Sequence, residues 1–137
     1  MTPQFSFQIF NFIALCSWIL LIFFGASKIS RVLIHSTAIP LLLALGYWVS
    51  LMTMLLTNPP VGAGFGSLEA LQALFSNPWG LLAGWVHYLA FDLLIGAEIE
   101  RRYRDRNFFL RSILLFLTFM FGPIGWSLSK VFDRRKQ

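Results

Sequence analysis

Four long apolar runs decide what this 137-residue chain can fold into. They cover about residues 5–24, 38–56, 79–99 and 108–128, each close to the roughly 20 residues that a helix needs to cross a bilayer. Only 12% of the residues are charged, whereas a soluble domain carries about a quarter, which argues strongly against a soluble monomer. The sequence predicts an all-α polytopic membrane protein, a compact bundle of four transmembrane helices forming a single domain, 1–137.

A short amphipathic helix is predicted over about residues 68–75, between the second and third runs. Ser67 suits its N-cap, because a hydroxyl oxygen can accept a hydrogen bond from a free N–H of the first turn. Glu69 would lie at the positive end of the helix dipole. The apolar residues of this helix would face lipid or the bundle, so we expect it to lie at the membrane interface.

Positive charge is distributed unevenly among the connections. The loops of about residues 25–37 and 98–111 are basic, whereas 57–78 contains no Lys or Arg. Basic loops favour the cytoplasmic side, so we expect the Arg-rich 98–111 loop inside and both ends of a four-span chain outside. The basic tail of residues 130–136 contradicts that arrangement.

The fourth run contains Gly122-Pro123 near its end. Proline lacks the donor N–H and clashes with the preceding helical turn, so it interrupts the helix at this point. A kinked span is the favoured interpretation, and a re-entrant hairpin is the alternative.

Small residues recur at helical spacing in the later runs and predict close helix packing. The members singled out for this role are Gly80, Gly84, Gly122 and Gly125. Small residues let membrane helices approach closely, where lipid tails supply no hydrophobic drive for association. A stripe left over after bundle formation could serve a homodimer or a contact with another membrane protein.

Two ionisable residues, His87 and Asp92, fall inside the third run. An Asp at a bilayer centre costs about 2.5–3.5 kcal/mol on insertion scales, which suggests buried partners or a water-filled cavity. Five residues apart on a helix, the two side chains diverge by about 140° and are not expected to pair directly. Acid–base catalysis on a lipophilic substrate and plain interhelical hydrogen bonding remain alternative interpretations.

Metal, disulfide and cofactor sites are not indicated. Cys16 is the only cysteine and the chain has two histidines, so a structural zinc site would lack ligands. No cofactor and no nucleic-acid partner are expected, because the net charge of +5 is explained by the membrane-adjacent loops.

Residues 85–93, Trp-Val-His-Tyr-Leu-Ala-Phe-Asp-Leu, resemble the signature of the abscisic-acid-deficient-four-like membrane family, which includes plant neoxanthin synthase. Residues 74–78 and the Phe-Gly-Pro-Ile-Gly run of 121–125 are also similar. The resemblance implies a four-span protein whose plant relatives convert violaxanthin to neoxanthin, an isomerisation that needs no redox cofactor. His87 and Asp92 match the motif and become the candidate catalytic residues.

Three functions follow as hypotheses. The first is binding or isomerisation of a carotenoid-like isoprenoid, the second a non-enzymatic assembly subunit, and the third a small proton-coupled transporter. No plastid transit peptide is visible, so we expect a bacterial inner membrane or a cyanobacterial membrane.

Overall fold

The computed structural model of the chain describes residues 2–134. Seven α-helices and one π-helical turn follow one another, and no strand occurs within this range. In chain order they are α1 (Pro3–Phe24), α2 (Lys28–Ser30), the π-turn (Arg31–His35), α3 (Ala38–Thr57), α4 (Leu68–Ser76), α5 (Pro78–Tyr103), α6 (Phe108–Phe121) and α7 (Pro123–Arg134).

Three helical segments are long and apolar enough to cross a membrane: Pro3–Phe24, Lys28–Thr57 and Pro78–Tyr103. They contain the first three predicted runs. A proline occupies the first turn of both α1 and α5, where its missing N–H costs nothing. The Asn77 side chain caps α5 by accepting from Trp79 N at 2.9 Å and Gly80 N at 3.3 Å.

The central element is α5, against which α1, α3, α4 and α6 all pack. Close approach depends on glycine: a Cβ added at Gly96 would lie 2.5 Å from the Trp18 ring. Trp18 and Leu93 are almost wholly buried in the resulting core. The predicted short helix is confirmed as α4, with the Ser67 hydroxyl accepting from Ala70 N at 3.2 Å.

The fourth run is interrupted at Gly122-Pro123, as predicted, but it does not form the kinked span that was favoured over 108–128; its course is that of the alternative, a hairpin. It forms two helices, α6 of 14 residues and α7 of 12 residues, separated at Gly122, which has φ +38°. At about 1.5 Å per residue, α6 is roughly 21 Å long and falls short of a bilayer core of about 30 Å.

The helix α7 returns towards the end from which α6 started. The Tyr103 hydroxyl donates to Ser129 O at 2.5 Å, and Lys130 Nζ lies 3.0 Å from Glu98 Oε1. Tyr103 ends α5 just before α6 begins. The start of α6 and the end of α7 therefore both lie at this end of α5. Gly125 packs directly on Thr118, which holds the two arms together.

A buried ionic cluster joins the same end of α5 to the first connection. Glu100 is fully buried, and its Oε2 lies 3.0 Å from His35 Nε2 and 2.8 Å from an Arg104 guanidinium nitrogen. Hydrogen bonding to Glu100 raises the pKa of Arg104 above its ordinary value. His35 Nε2 also lies 3.2 Å from Gly25 O, so the cluster fixes the ends of three helical segments.

Candidate functional site

The two ionisable residues of the third run lie on different faces of α5. Asp92 follows Leu81, Trp85 and Tyr88 at spacings of four, three and four residues, and these four define the Asp92 face. The second stripe, the His87 face, has the same spacings and consists of Gly80, Gly84, His87 and Phe91. Helical geometry therefore keeps the two candidate catalytic side chains apart, as the sequence predicted.

Asp92 is buried against the tip of the α6–α7 hairpin. Its side chain interacts with Tyr88 one turn earlier, and its Oδ2 atom is buried with no hydrogen-bond partner among residues 2–134. A Cβ added at Gly122 would lie 2.8 Å from Asp92 Oδ1, so the absence of a side chain there makes room for the carboxylate. Gly122 directly precedes α7, whose N-terminal N–H groups favour negative charge nearby.

The hydroxyl groups of α3 do not supply the missing partner. Ser50 Oγ donates to Gly46 O at 2.8 Å, and Thr53 Oγ1 donates to Val49 O at 2.7 Å. Both bonds lie within their own helix, so neither of these hydroxyls donates to Asp92.

Beyond the hairpin tip, the Asp92 face of α5 is left partly uncovered. A cavity of about 350 Å³ lies between the start of α1 and the first half of α5. We call it the α1–α5 crevice; it is lined by Pro3, Gln4, Phe7, Pro78, Leu81, Leu82 and Trp85. Gly122 at the hairpin tip lies beside Asp92, whereas Trp85, two turns earlier on the same face, is 41% exposed.

The aromatic wall of the crevice is held in place by α1. Trp85 Nε1 donates to Asn11 Oδ1 at 2.7 Å, and the Phe7 ring lies 6.2 Å from the Trp85 ring. The Tyr88 ring follows at 5.7 Å, so a chain of side chains runs from the crevice to the Asp92 carboxylate.

His87 lies in a separate groove between α3, α4 and α5. Its ring stacks on Phe91 at 4.7 Å and meets the edge of Tyr47 at 5.5 Å, and no hydrogen bond to it is present within residues 2–134. The groove has a volume of about 290 Å³ and is otherwise lined mainly by apolar side chains, including Phe75. His87 is exposed to the surroundings of the bundle there.

The four glycines singled out for packing all meet neighbouring groups at short range. Gly80 faces Leu74 O, and Gly84 faces the Phe75 ring, where an added Cβ would lie at 2.6 Å. These two therefore bring α4 against α5. Gly125 faces Thr118 within the hairpin, and Gly122 faces Asp92.

Sequence reasoning missed the role of Tyr88 and the Asn11–Trp85 bond. The available signal was spacing, since Tyr88 precedes Asp92 by one turn and Trp85 precedes Tyr88 by three residues. No cluster of three metal-ligating side chains occurs in the part of the chain that the structure describes.

The helices and the buried carboxylate define a class: small all-helical membrane proteins with an ionisable group inside the bundle. Within that class, the chain belongs to the ABA DEFICIENT 4-like family, whose model matches residues 5–128. This match confirms the resemblance drawn from residues 85–93. No curated protein and no solved structure matches the chain significantly.

Proposed function

We propose that the protein binds a carotenoid-like isoprenoid in the α1–α5 crevice and uses Asp92 to transfer a proton to or from it. The observation that carries the proposal is the Asp92 carboxylate, which is buried among apolar helices and whose Oδ2 has no hydrogen-bond partner in the described part of the chain. Such burial costs free energy, so a group kept there is expected to have a function. Membership of the ABA DEFICIENT 4-like family supports a lipophilic substrate.

The reaction class is a cofactor-independent isomerisation of an epoxide or a related isoprenoid. A base removes a proton from the polyene carbon beside the epoxide, and the released electron pair forms a new double bond as the C–O bond breaks. The epoxide oxygen takes up a proton and becomes a hydroxyl, so atoms and electrons balance without an external oxidant. Asp92 would accept the first proton, and Tyr88 would pass a proton to the oxygen.

His87 takes a different place in this proposal. The groove that His87 lines opens on the other side of α5 from the crevice. In that groove the His87 ring would donate a hydrogen bond to, or accept one from, a polar group of a bound molecule. The crevice would hold the reacting end against Trp85 and Tyr88, whose flat rings suit a conjugated chain.

The test uses a carotenoid-producing bacterial host. The wild type should change the chromatogram of extracted pigments, and Asp92→Asn should abolish the change while the protein is still present in the membrane. Asp133→Asn, which removes a carboxylate near the α7 end, is the matched control and should behave as the wild type. An unchanged chromatogram with folded wild type would refute the enzymatic proposal.

The competing functions make different predictions in the same host. A stoichiometric membrane protein that co-purifies with the chain, without any pigment change, would favour the assembly subunit. Transport that depends on a proton gradient in liposomes, lost in Asp92→Asn, would favour the transporter.

The orientation we propose has three spans, with the N-terminus outside and the α6–α7 hairpin entering and leaving on the cytoplasmic side. This arrangement puts the 25–37 loop, the 98–111 loop and Lys130 of α7 on one side, as the positive-inside rule favours. The rest of the basic tail, from residue 135, lies outside the described residues. The conflict that four full spans created for Lys130 then disappears. The membrane would be a bacterial inner membrane or a cyanobacterial membrane.

Cysteine labelling of intact cells tests the orientation. In a Cys16→Ser background, Gly66→Cys should react with an impermeant thiol reagent, whereas Asp105→Cys and Val131→Cys should react only after lysis. Reaction of positions 66 and 131 from the same side would instead support four full spans.

A further inference from the structure

The first connection and the adjoining end of α5 present three cations that the acidic residues of the chain do not neutralise. Lys28, Arg31 and Arg101 are exposed, and none forms an ion pair within the described residues. The other basic side chains described at this end do have acidic partners. These are Arg102 with Glu98 and Asp133, Arg104 and Arg111 with Glu100, Arg106 with Asp133, and Lys130 with Glu98.

The unpaired cations lie on one side of the connection. Lys28, Arg31 and His35 are spaced three and four residues apart, so they follow one another along the helical run from α2 to the π-turn. A guanidinium nitrogen of Arg101 lies 3.5 Å from His35 Nδ1, so the third unpaired cation, on α5, lies at the end of this row. We call Lys28, Arg31 and Arg101 the basic cluster.

An apolar strip adjoins the cluster on the same run. Ile29, Val32 and Leu33 are 61%, 65% and 38% exposed, and they follow the cations round the helix. A run with cations on one side and large apolar side chains beside them is typical of a segment that lies at a membrane surface.

The run, residues 28–35, forms the N-terminal end of the Lys28–Thr57 segment. Thr37, with φ +67°, separates it from α3, and α3 alone has 20 residues, about 30 Å, which matches a bilayer core. The run therefore lies where lipid headgroups and the start of their acyl chains are found. His35 Nε2 lies 3.0 Å from Oε2 of the buried Glu100, and this contact fixes the position of the row on the bundle.

We propose that the basic cluster binds the phosphate of an anionic phospholipid, whose acyl chains pack against Ile29, Val32 and Leu33. The cations provide charge-assisted hydrogen bonds to the phosphate, and Arg31 and Arg101 can do so with two N–H groups each. The adjacent apolar strip favours a lipid over a free anion, because inorganic phosphate would leave that surface without a partner.

The test measures thermal unfolding of the purified full chain in neutral detergent, followed by tryptophan fluorescence. Phosphatidylglycerol should raise the Tm, whereas phosphatidylcholine and inorganic phosphate should not. The double variant Lys28→Gln/Arg31→Gln should lose most of this rise, with binding weakened about fivefold for each charge removed. Arg101→Gln should lose part of it.

The matched control is Arg106→Gln, which removes the same charge from a side chain that pairs with Asp133. It should retain the rise in Tm with phosphatidylglycerol. Native mass spectrometry provides a second measurement, since the wild type and Arg106→Gln should retain bound phosphatidylglycerol that the double variant loses. An equal loss in Arg106→Gln, or equal stabilisation by inorganic phosphate, would overturn the proposal.

Discussion

Replacement of Gly122 by alanine tests the contact between the hairpin tip and Asp92. Gly122 is buried and has φ +38°, and an added Cβ would lie 2.8 Å from Asp92 Oδ1 and 3.3 Å from Asp92 Oδ2. The substitution therefore strains the backbone and pushes the carboxylate away from the tip.

Two costs determine the expected effect on the free energy of unfolding. A left-handed backbone costs a non-glycine residue about 1–2 kcal/mol. Inserting a methyl group into a packed site costs about 1–3 kcal/mol. The reduced entropy of the unfolded chain returns about 0.4–1 kcal/mol, so we expect a net loss of about 1–4.5 kcal/mol.

Two other glycines separate these costs. Gly62 has φ +74° with nothing within 4 Å of an added Cβ, so Gly62→Ala reports backbone strain alone. Gly66 has open space and no positive φ, so Gly66→Ala should be close to neutral. Unfolding is measured by SDS titration in mixed micelles with tryptophan fluorescence.

The decisive comparison is between Gly122→Ala and Gly62→Ala. We expect the first to cost at least about 1 kcal/mol more, because only Gly122 has a buried neighbour. Combining Gly122→Ala with Asp92→Ala should recover part of this difference. Equal losses at the two glycines, with no recovery in the double variant, would refute the placement of Asp92 against the hairpin tip.

Two further predictions concern interactions that stabilise α5. Glu100→Gln should cost about 3 kcal/mol in the SDS titration, because it removes the charge of a fully buried carboxylate that pairs with Arg104 and Arg111. Asp133→Asn, at a partly exposed pair, should cost less than about 1 kcal/mol. Equal losses would contradict the burial of Glu100. A double-mutant cycle of Asn11→Ala with Trp85→Phe should give a coupling free energy of about 0.6 kcal/mol, as is usual for a hydrogen bond between membrane helices. A coupling free energy of zero would show that this bond does not hold the crevice wall.

Local properties of the sequence determined much of this fold. Apolar runs of sufficient length predicted the three spans, and Ser67 with Glu69 predicted the start of α4. The 85–93 run indicated the family. These features depend on residues close together in the chain, so hydropathy, capping and motif arguments are adequate for them.

The candidate site was predicted only in part. The spacing of His87 and Asp92 implied that they diverge, which the structure confirms through their different neighbours. The role of Tyr88 and the partner of Trp85 were not predicted. Asn11 is 74 residues from Trp85, and no local pattern connects side chains at that separation.

Only the tertiary structure decided the course of residues 108–128. Hydropathy averages over a window and reads this stretch as one apolar run, although the chain reverses inside it. The reversal depends on the backbone angles of Gly122 and on contacts such as Tyr103 with Ser129, which join residues far apart in sequence. The sequence by itself determined that this chain is helical and apolar enough for a membrane, whereas long-range contacts decided that its last apolar run folds back and brings Gly122 against Asp92.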